Sequence, residues 1–304
     1  MEELQRQDPS MNSRVSEDTG QLLLSGMGEL HLEIAVDRLK REWGISGLTL
    51  GRVQVAYRES PGDEEGLGCH TFEKALGGRS VKASIALKVS FREELALQGC
   101  NSWICRRLND REEQEGDEFA EPCAVIPGAN GNNSPSTLSP IPPPYLEAIS
   151  GAIELGLGRG SILGFPVVGA RVEIHGEGCM FSLDTPLAAV RAATARALSA
   201  ALISSRPKLL EPLMAAEITL LEGPAVGEVL SDISTTRRGQ IVEVGGISGK
   251  TVIKALVPLK EMVGYATSLR SRTSGEGSFS MEFSKYESVG EALQAKLVAN
   301  PTLI

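Results

Sequence analysis

Apolar positions are most regular in the last hundred residues. "MAAEITLL" predicts a strand, and "AVGEVLSDISTTRRG" places Val226, Val229, Leu230 and Ile233 on one helical face. "QIVEV" and "TVIKALV" are β-branched runs around a glycine turn, which predicts a hairpin. "LKEMVGYATSLRSRTSGEG" predicts a second helix, "SFSMEFS" a last strand and "GEALQAKLVA" a tail helix. The order βαββαβ is the split-βαβ, ferredoxin-like plan.

Near the N-terminus, Leu22–Ser25 predicts a short buried strand. "SGMGELHLEIAVDRLKREWG" predicts a helix with Leu32, Val36, Leu39 and Trp43 on one face; Lys40 and Arg41 suit its C-terminal dipole and Gly44 stops it. "GRVQVAYRES" predicts a strand. A small ferredoxin-like domain would need one more strand and most of a helix upstream, so the expectation is that the chain begins inside a domain.

Residues 80–91, "SVKASIALKVSF", predict a long strand. From 92 to 144 an acidic stretch, "RLNDREEQEGDEFAEP", gives way to "GANGNNSPSTLSPIPPP", turn-rich and without apolar period. A long mobile insertion is expected here, with an interaction lid as the alternative. Tyr145–Leu157 predicts a helix and "GFPVVGARVEI" a strand. Asp184, Thr185 and Pro186 read as a cap followed by a first-turn proline. The small residues of "LAAVRAATARALSAALISS" suit a helix packed closely on a sheet.

A length of 304 residues suggests two domains or three small ones. Aromatics are only 4%, so the cores must rest on Leu, Val, Ile and Ala. The net charge of −9 argues against coating nucleic acid by bulk charge but leaves room for local basic patches. Five cysteines, an odd number, do not read as a disulfide framework and point to a reducing compartment. No run approaches the roughly 18 consecutive apolar residues of a membrane span, so no membrane partner is expected. The first twenty residues are polar and read neither as a signal peptide nor as an Arg-rich transit peptide.

"GGISGKT", residues 245–251, has the look of a phosphate-binding loop. The spacing rejects that: the first glycine of such a loop would fall on Val244, and Thr251 opens a strand where a helix is required. A hairpin turn fits, with the two glycines supplying positive φ. Cys100, Cys105, Cys123 and His70 match no paired zinc spacing, so no metal is expected. His31 lies beside an apolar stripe and reads as a structural histidine.

Three stretches resemble the elongation factor G family of translational GTPases. "SGMGELHLEIAVDRLKREWG" with "VQVAYRES" is similar to the end of that family's third domain. "GSILGFPVV" resembles part of its fourth domain. "LLEPLMAAEITL", "RRGQI", "VPLKEMVGYATSLRS" and "SFSMEF" resemble its fifth. The resemblance implies an α+β chain: a partial, ferredoxin-like domain III at 1–57, a ribosomal-protein-S5-domain-2-like domain IV at 58–205, and a ferredoxin-like domain V at 206–304. It implies no cofactor in this chain, with GTP and magnesium held by a domain upstream. It also implies that this chain alone is not an enzyme, that the ribosome is its partner and that the protein is a monomer.

In translocating members the tip of domain IV resembles Gly-Gly-Arg-Gly-Gln-Tyr-Gly-His. Here Gly77, Gly78 and Arg79 match and "SVKASIAL" replaces the rest, which makes Gly77, Gly78, Arg79 and Lys82 candidate RNA contacts. The alternative is a plain glycine turn. In "HGEGCMFSLD", Cys179 and Met180 fall where a second tip carries a Tyr-His pair, and His175 is not equivalent. These departures put translocation in doubt. They favour the mitochondrial branch that works with ribosome recycling factor after termination, and with it a mitochondrial location. In domain V, Arg237, Arg238, Arg270 and Arg272 are candidate rRNA phosphate contacts, with helix-dipole complementarity as the alternative.

Overall fold

The structure is a computed structural model. It describes residues 6–8, 11–15, 22–25, 29–42, 44–45, 48–51, 55–76, 79–106, 123–125, 138–175, 178–181, 185–247 and 249–300. The chain divides into two compact units: Met1–Ala56 with Glu211–Glu287, and Tyr57–Leu210 with Ser288–Leu303.

In the first unit, Asn12–Val15 and Leu22–Ser25 pair antiparallel ahead of the helix Glu29–Arg41. The apolar stripe of that helix is rotated from the expected one. Ala35 and Leu39 are buried, while Leu32 and Val36 are only half-buried. Small Ala35 seats the helix against Met11 and Leu24. Trp43 lies outside the described residues.

The ferredoxin-like part follows the expected order. Its sheet runs Gln240–Ile247, Lys250–Pro258, Lys208–Leu221, Ser278–Ser288. Alternate residues of the two central strands point one way: Ala216, Ile218 and Leu220 meet Ile253, Ala255 and Val257 under the helices. Val229 and Ile233 cover them from the first helix, and Met262, Tyr265 and Leu269 from the second.

The hairpin is tighter than the glycines suggest. Gly245 and Gly246 stay in the ladder opposite Val252 and Thr251, and it is Gly249 that takes the positive φ, +77°. A register shift between Ile241 and Glu243 leaves Val242 bulged and exposed. The first helix, Ala225–Ser231, loosens into a π turn at Asp232–Thr236. The second, expected to be continuous, is broken into Leu259–Met262 and Tyr265–Arg272. Val263 turns extended and Gly264 takes φ +72°, a conformation glycine enters without steric cost.

In the second unit, Gly66–Leu76 and Arg79–Phe91 form one long hairpin. Ala170–His175 pairs antiparallel with Arg79–Phe91, and Ser102–Arg106 lies parallel on its far side. Of the strand expected over "GRVQVAYRES", residues 52–54 lie outside the described residues; among the described ones Arg58–Ser60 is strand, pairing with Lys208–Leu210. The stretch expected to be irregular carries structure. Glu93–Gln98 is a helix ended by Gly99 at φ +67°, Ser102–Arg106 is a strand, and Cys123–Val125 pairs with Leu138–Pro140. "EELALQG" is a short helix with its own glycine stop, which the acidic composition of the region conceals. Residues 107–122 and 126–137 lie outside the described residues.

Helices Pro143–Leu157 and Leu187–Ser204 bury the row Val81, Ala83, Ile85, Leu87 and Val89. The second rides directly on the hairpin. A Cβ at Gly66 or Gly68 would lie 2.0 Å from the carbonyl oxygen of Ala201 or Ala197. By length and composition it could cross a membrane, yet Val190, Ala193, Ala197 and Leu198 are core residues. Pro186 precedes it without a side-chain cap; Thr185 instead donates its hydroxyl to the Lys82 carbonyl at 3.3 Å. Asp184 lies outside the described residues.

Candidate nucleic-acid interface

Gly77 and Gly78 lie outside the described residues. Arg79 opens the long strand opposite Leu76. "SVKASIAL" is thus core strand from its first residues: Val81, Ala83, Ile85 and Leu87 point inward and Lys82 outward. Ser84, on the outward side, is tied down by the Thr71 hydroxyl at 3.0 Å. At the second tip, Cys179 is fully buried, and burial pushes its thiol up to about 11. It packs as a core residue while Met180 is exposed. His175 ends a strand, with its Nε2 buried and without a hydrogen-bond partner among the described residues.

The four arginines expected as phosphate contacts divide into two kinds. The π turn brings Asp232, Arg237 and Arg238 together: the Arg237 N–H donates to the Asp232 carbonyl at 3.0 Å, and the Gly239 N–H to that of Ile233 at 2.8 Å. Only glycine fits at 239, since a Cβ there would meet Ile233 at 2.7 Å and Val257 at 2.9 Å. The buried Asp232 carboxylate accepts Arg237 Nε at 2.8 Å on one oxygen and Arg272 Nη2 at 3.0 Å on the other. Arg237 also donates to the Glu261 carbonyl, and its guanidinium carbon stands 4.5 Å over the Tyr265 ring.

Arg238 takes a left-handed φ of +52°. Its fork grips buried Glu211 with both Nη atoms, at 2.8 and 2.9 Å, and Nε reaches Glu261 at 3.2 Å. Those bonds to Glu211 hold its guanidinium well above its ordinary value and offset the backbone strain. Arg237, Arg238 and Arg272 therefore serve intramolecular carboxylates. Arg270 is exposed, and among the described residues it has no ion-pair partner. His31, read as structural, meets Asp8 at 2.7 Å.

A second polar centre went unseen in the sequence. Glu59, 1% exposed, accepts the backbone N–H groups of Ile162, Leu163 and Phe165 at 2.8, 2.9 and 3.1 Å. Gly160 makes room for it; a Cβ there would lie 2.2 Å from Glu59 Oε2. The carboxylate thus moulds the "GSILGF" loop. The partners are about a hundred residues apart in the chain, and a strand pattern does not single out one glutamate.

Residues 208–297 match the family model "Elongation factor G C-terminus", and residues 1–49 match "Elongation Factor G, domain III". Both segments are elongation factor G-like. A crystal structure of a Thermus thermophilus protein is similar over all of this chain, with 27% identity and a TM-score of 0.67. The chain spans 40% of the length of that protein. Along the sequence, the two matched segments lie on either side of the second unit's helix-covered sheet.

Proposed function

We propose that this chain is the ribosome-contacting part of an elongation factor G-like translational GTPase that disassembles mitochondrial ribosomes after termination, together with ribosome recycling factor. GTP and magnesium would be held by a GTP-binding domain elsewhere in the longer protein. This chain would act as a lever whose sheets and helices carry displacement to RNA contacts. The two elongation factor G matches support the family part of this reading.

One observation supports recycling over translocation. The residues that replace Gly-Gln-Tyr-Gly-His after Arg79 are strand, with Val81 and Ala83 in the core. Backbone committed to a ladder and side chains committed to a core are not free to touch a codon–anticodon duplex. Cys179 in the core supports the same reading for the second tip.

The test is a reconstituted mitochondrial system containing the longer protein, recycling factor and GTP. The expected result is rapid splitting of post-termination ribosomes, read by light scattering, with little polypeptide elongation. Efficient elongation without splitting would establish translocation instead.

A further inference from the structure

The outward face of the Leu187–Ser204 helix carries two exposed arginines, Arg191 and Arg196. The chain has 39 acidic residues, yet this eighteen-residue helix has none. Its inner side is core, while Ala188, Arg191, Ala195, Arg196, Ser199 and Ala200 are exposed. Among the described residues neither Arg191 nor Arg196 has an ion pair or hydrogen-bond partner, whereas Arg171, Arg206, Arg237, Arg238 and Arg272 all meet carboxylates. The helix dipole does not account for them: Arg191 stands in the N-terminal half and Arg196 at the centre, where a cation gains nothing. They stand five positions apart, about 7.5 Å along the axis and about 140° around it, at the two edges of the exposed arc. Among exposed neighbours on the same helix, Arg196 has only Ala and Ser beside it, while Arg191 has Ala188, Ala195 and the partly exposed Leu187 one turn before it.

We infer that this face docks on the phosphate backbone of RNA, with Arg191 and Arg196 each forking onto a phosphate. The inference rests on the ribosome reading and gives it a second-unit contact away from Gly77, Gly78, Arg79 and Lys82. Charge complementarity selects the occupant: guanidinium forks match phosphate oxygens, and a cationic face on an acidic chain is where a polyanion can approach. An anionic bilayer fits less well. The large exposed apolar side chains, Leu187 and Ile203, stand at the two ends with Ala and Ser between them, so no continuous apolar stripe is available to sink.

The experiment measures binding of the full chain to purified mitochondrial ribosomes over a salt series. The proteins compared are the wild type, R191Q/R196Q and R191K/R196K. The glutamine variant is expected to melt like the wild type, to bind roughly ten-fold more weakly at low salt, and to lose about 1.8 from the log–log salt slope. The lysine variant keeps both charges and should keep the slope. An unchanged slope in a glutamine variant beside a wild type that binds would overturn this face and leave the ribosome reading standing. No wild-type binding at any salt would sink both. Binding of phosphatidylserine vesicles that the glutamine variant loses, with ribosome binding intact, would assign the face to membranes and overturn the RNA contact.

Discussion

At Asp232 two guanidinium groups share one buried carboxylate. Removing its charge strands Arg237 and Arg272 together. Breaking such a buried pair costs on the order of 3 kcal/mol, because the remaining charge has lost its compensation. Asp232→Asn should therefore lower the urea midpoint of the chain, whereas Arg270→Gln, at an exposed site with no ion pair among the described residues, should leave it in place. Equal effects would mean the hub contributes nothing special. Beside it, the Tyr265 hydroxyl is buried with no hydrogen-bond partner among the described residues, and burial pushes its pKa up to about 12. Tyr265→Phe removes the orphan and keeps the edge-on contact with Phe279 at 5.0 Å, so stability should hold or rise by about 1 kcal/mol. The folded state holds that phenolic proton more tightly than the unfolded chain. Its contribution is thus complete below pH 10 and lost as pH rises through about 12. Urea midpoints in that window should fall more steeply for the wild type than for Tyr265→Phe.

Between elements the tightest fit is glycine against helix. At Gly68 a Cβ would lie 2.0 Å from the Ala197 carbonyl oxygen, which is helix backbone that cannot step aside. Gly68→Ala should destabilise by about 1–3 kcal/mol, the cost of overpacking, while Gly151→Ala, which meets nothing within 4 Å, should be neutral or mildly stabilising. Thermal melts of the two variants separate the cases; a neutral Gly68→Ala would mean the helix is free to lift off. The Ala-rich sequence announced this close packing, because small side chains in a helix have few other uses. The hairpin around Gly249 and the face of Val226, Val229, Leu230 and Ile233 were legible for the same reason: each is a local pattern. The break at Val263–Gly264 and the helix at Glu93–Gln98 were not, since a glycine within a helical pattern and a short helix in an acidic stretch are decided by what packs around them. Nor was the employment of Arg238 legible. Its partners Glu211 and Glu261 lie 27 and 23 residues away, and a cation at a helix end looks the same whether it faces phosphate or its own chain.

Across the whole molecule, what matters for a lever is whether each part holds its own shape. Every buried residue of the ferredoxin-like core, from Ala216 to Leu269, lies within residues 206–304, as do the partly buried Phe279 and Met281. The hub residues Glu211, Asp232, Arg237, Arg238, Glu261 and Arg272 fall inside the same span. A segment of about a hundred residues with its own sheet, two helices packed on it and a buried charge network has what cooperative folding requires. The fragment 206–304 should therefore unfold in one transition, with circular dichroism and Tyr fluorescence superimposing along the urea axis. Asp232→Asn should shift that single transition as it does in the full chain, since every partner of Asp232 is retained. If the two probes diverged, or the fragment were protease-sensitive throughout, the ferredoxin-like part would depend on the rest of the chain for its shape. The rigid-lever part of the proposed mechanism would then have to give way to one in which these elements fold only in the assembled protein.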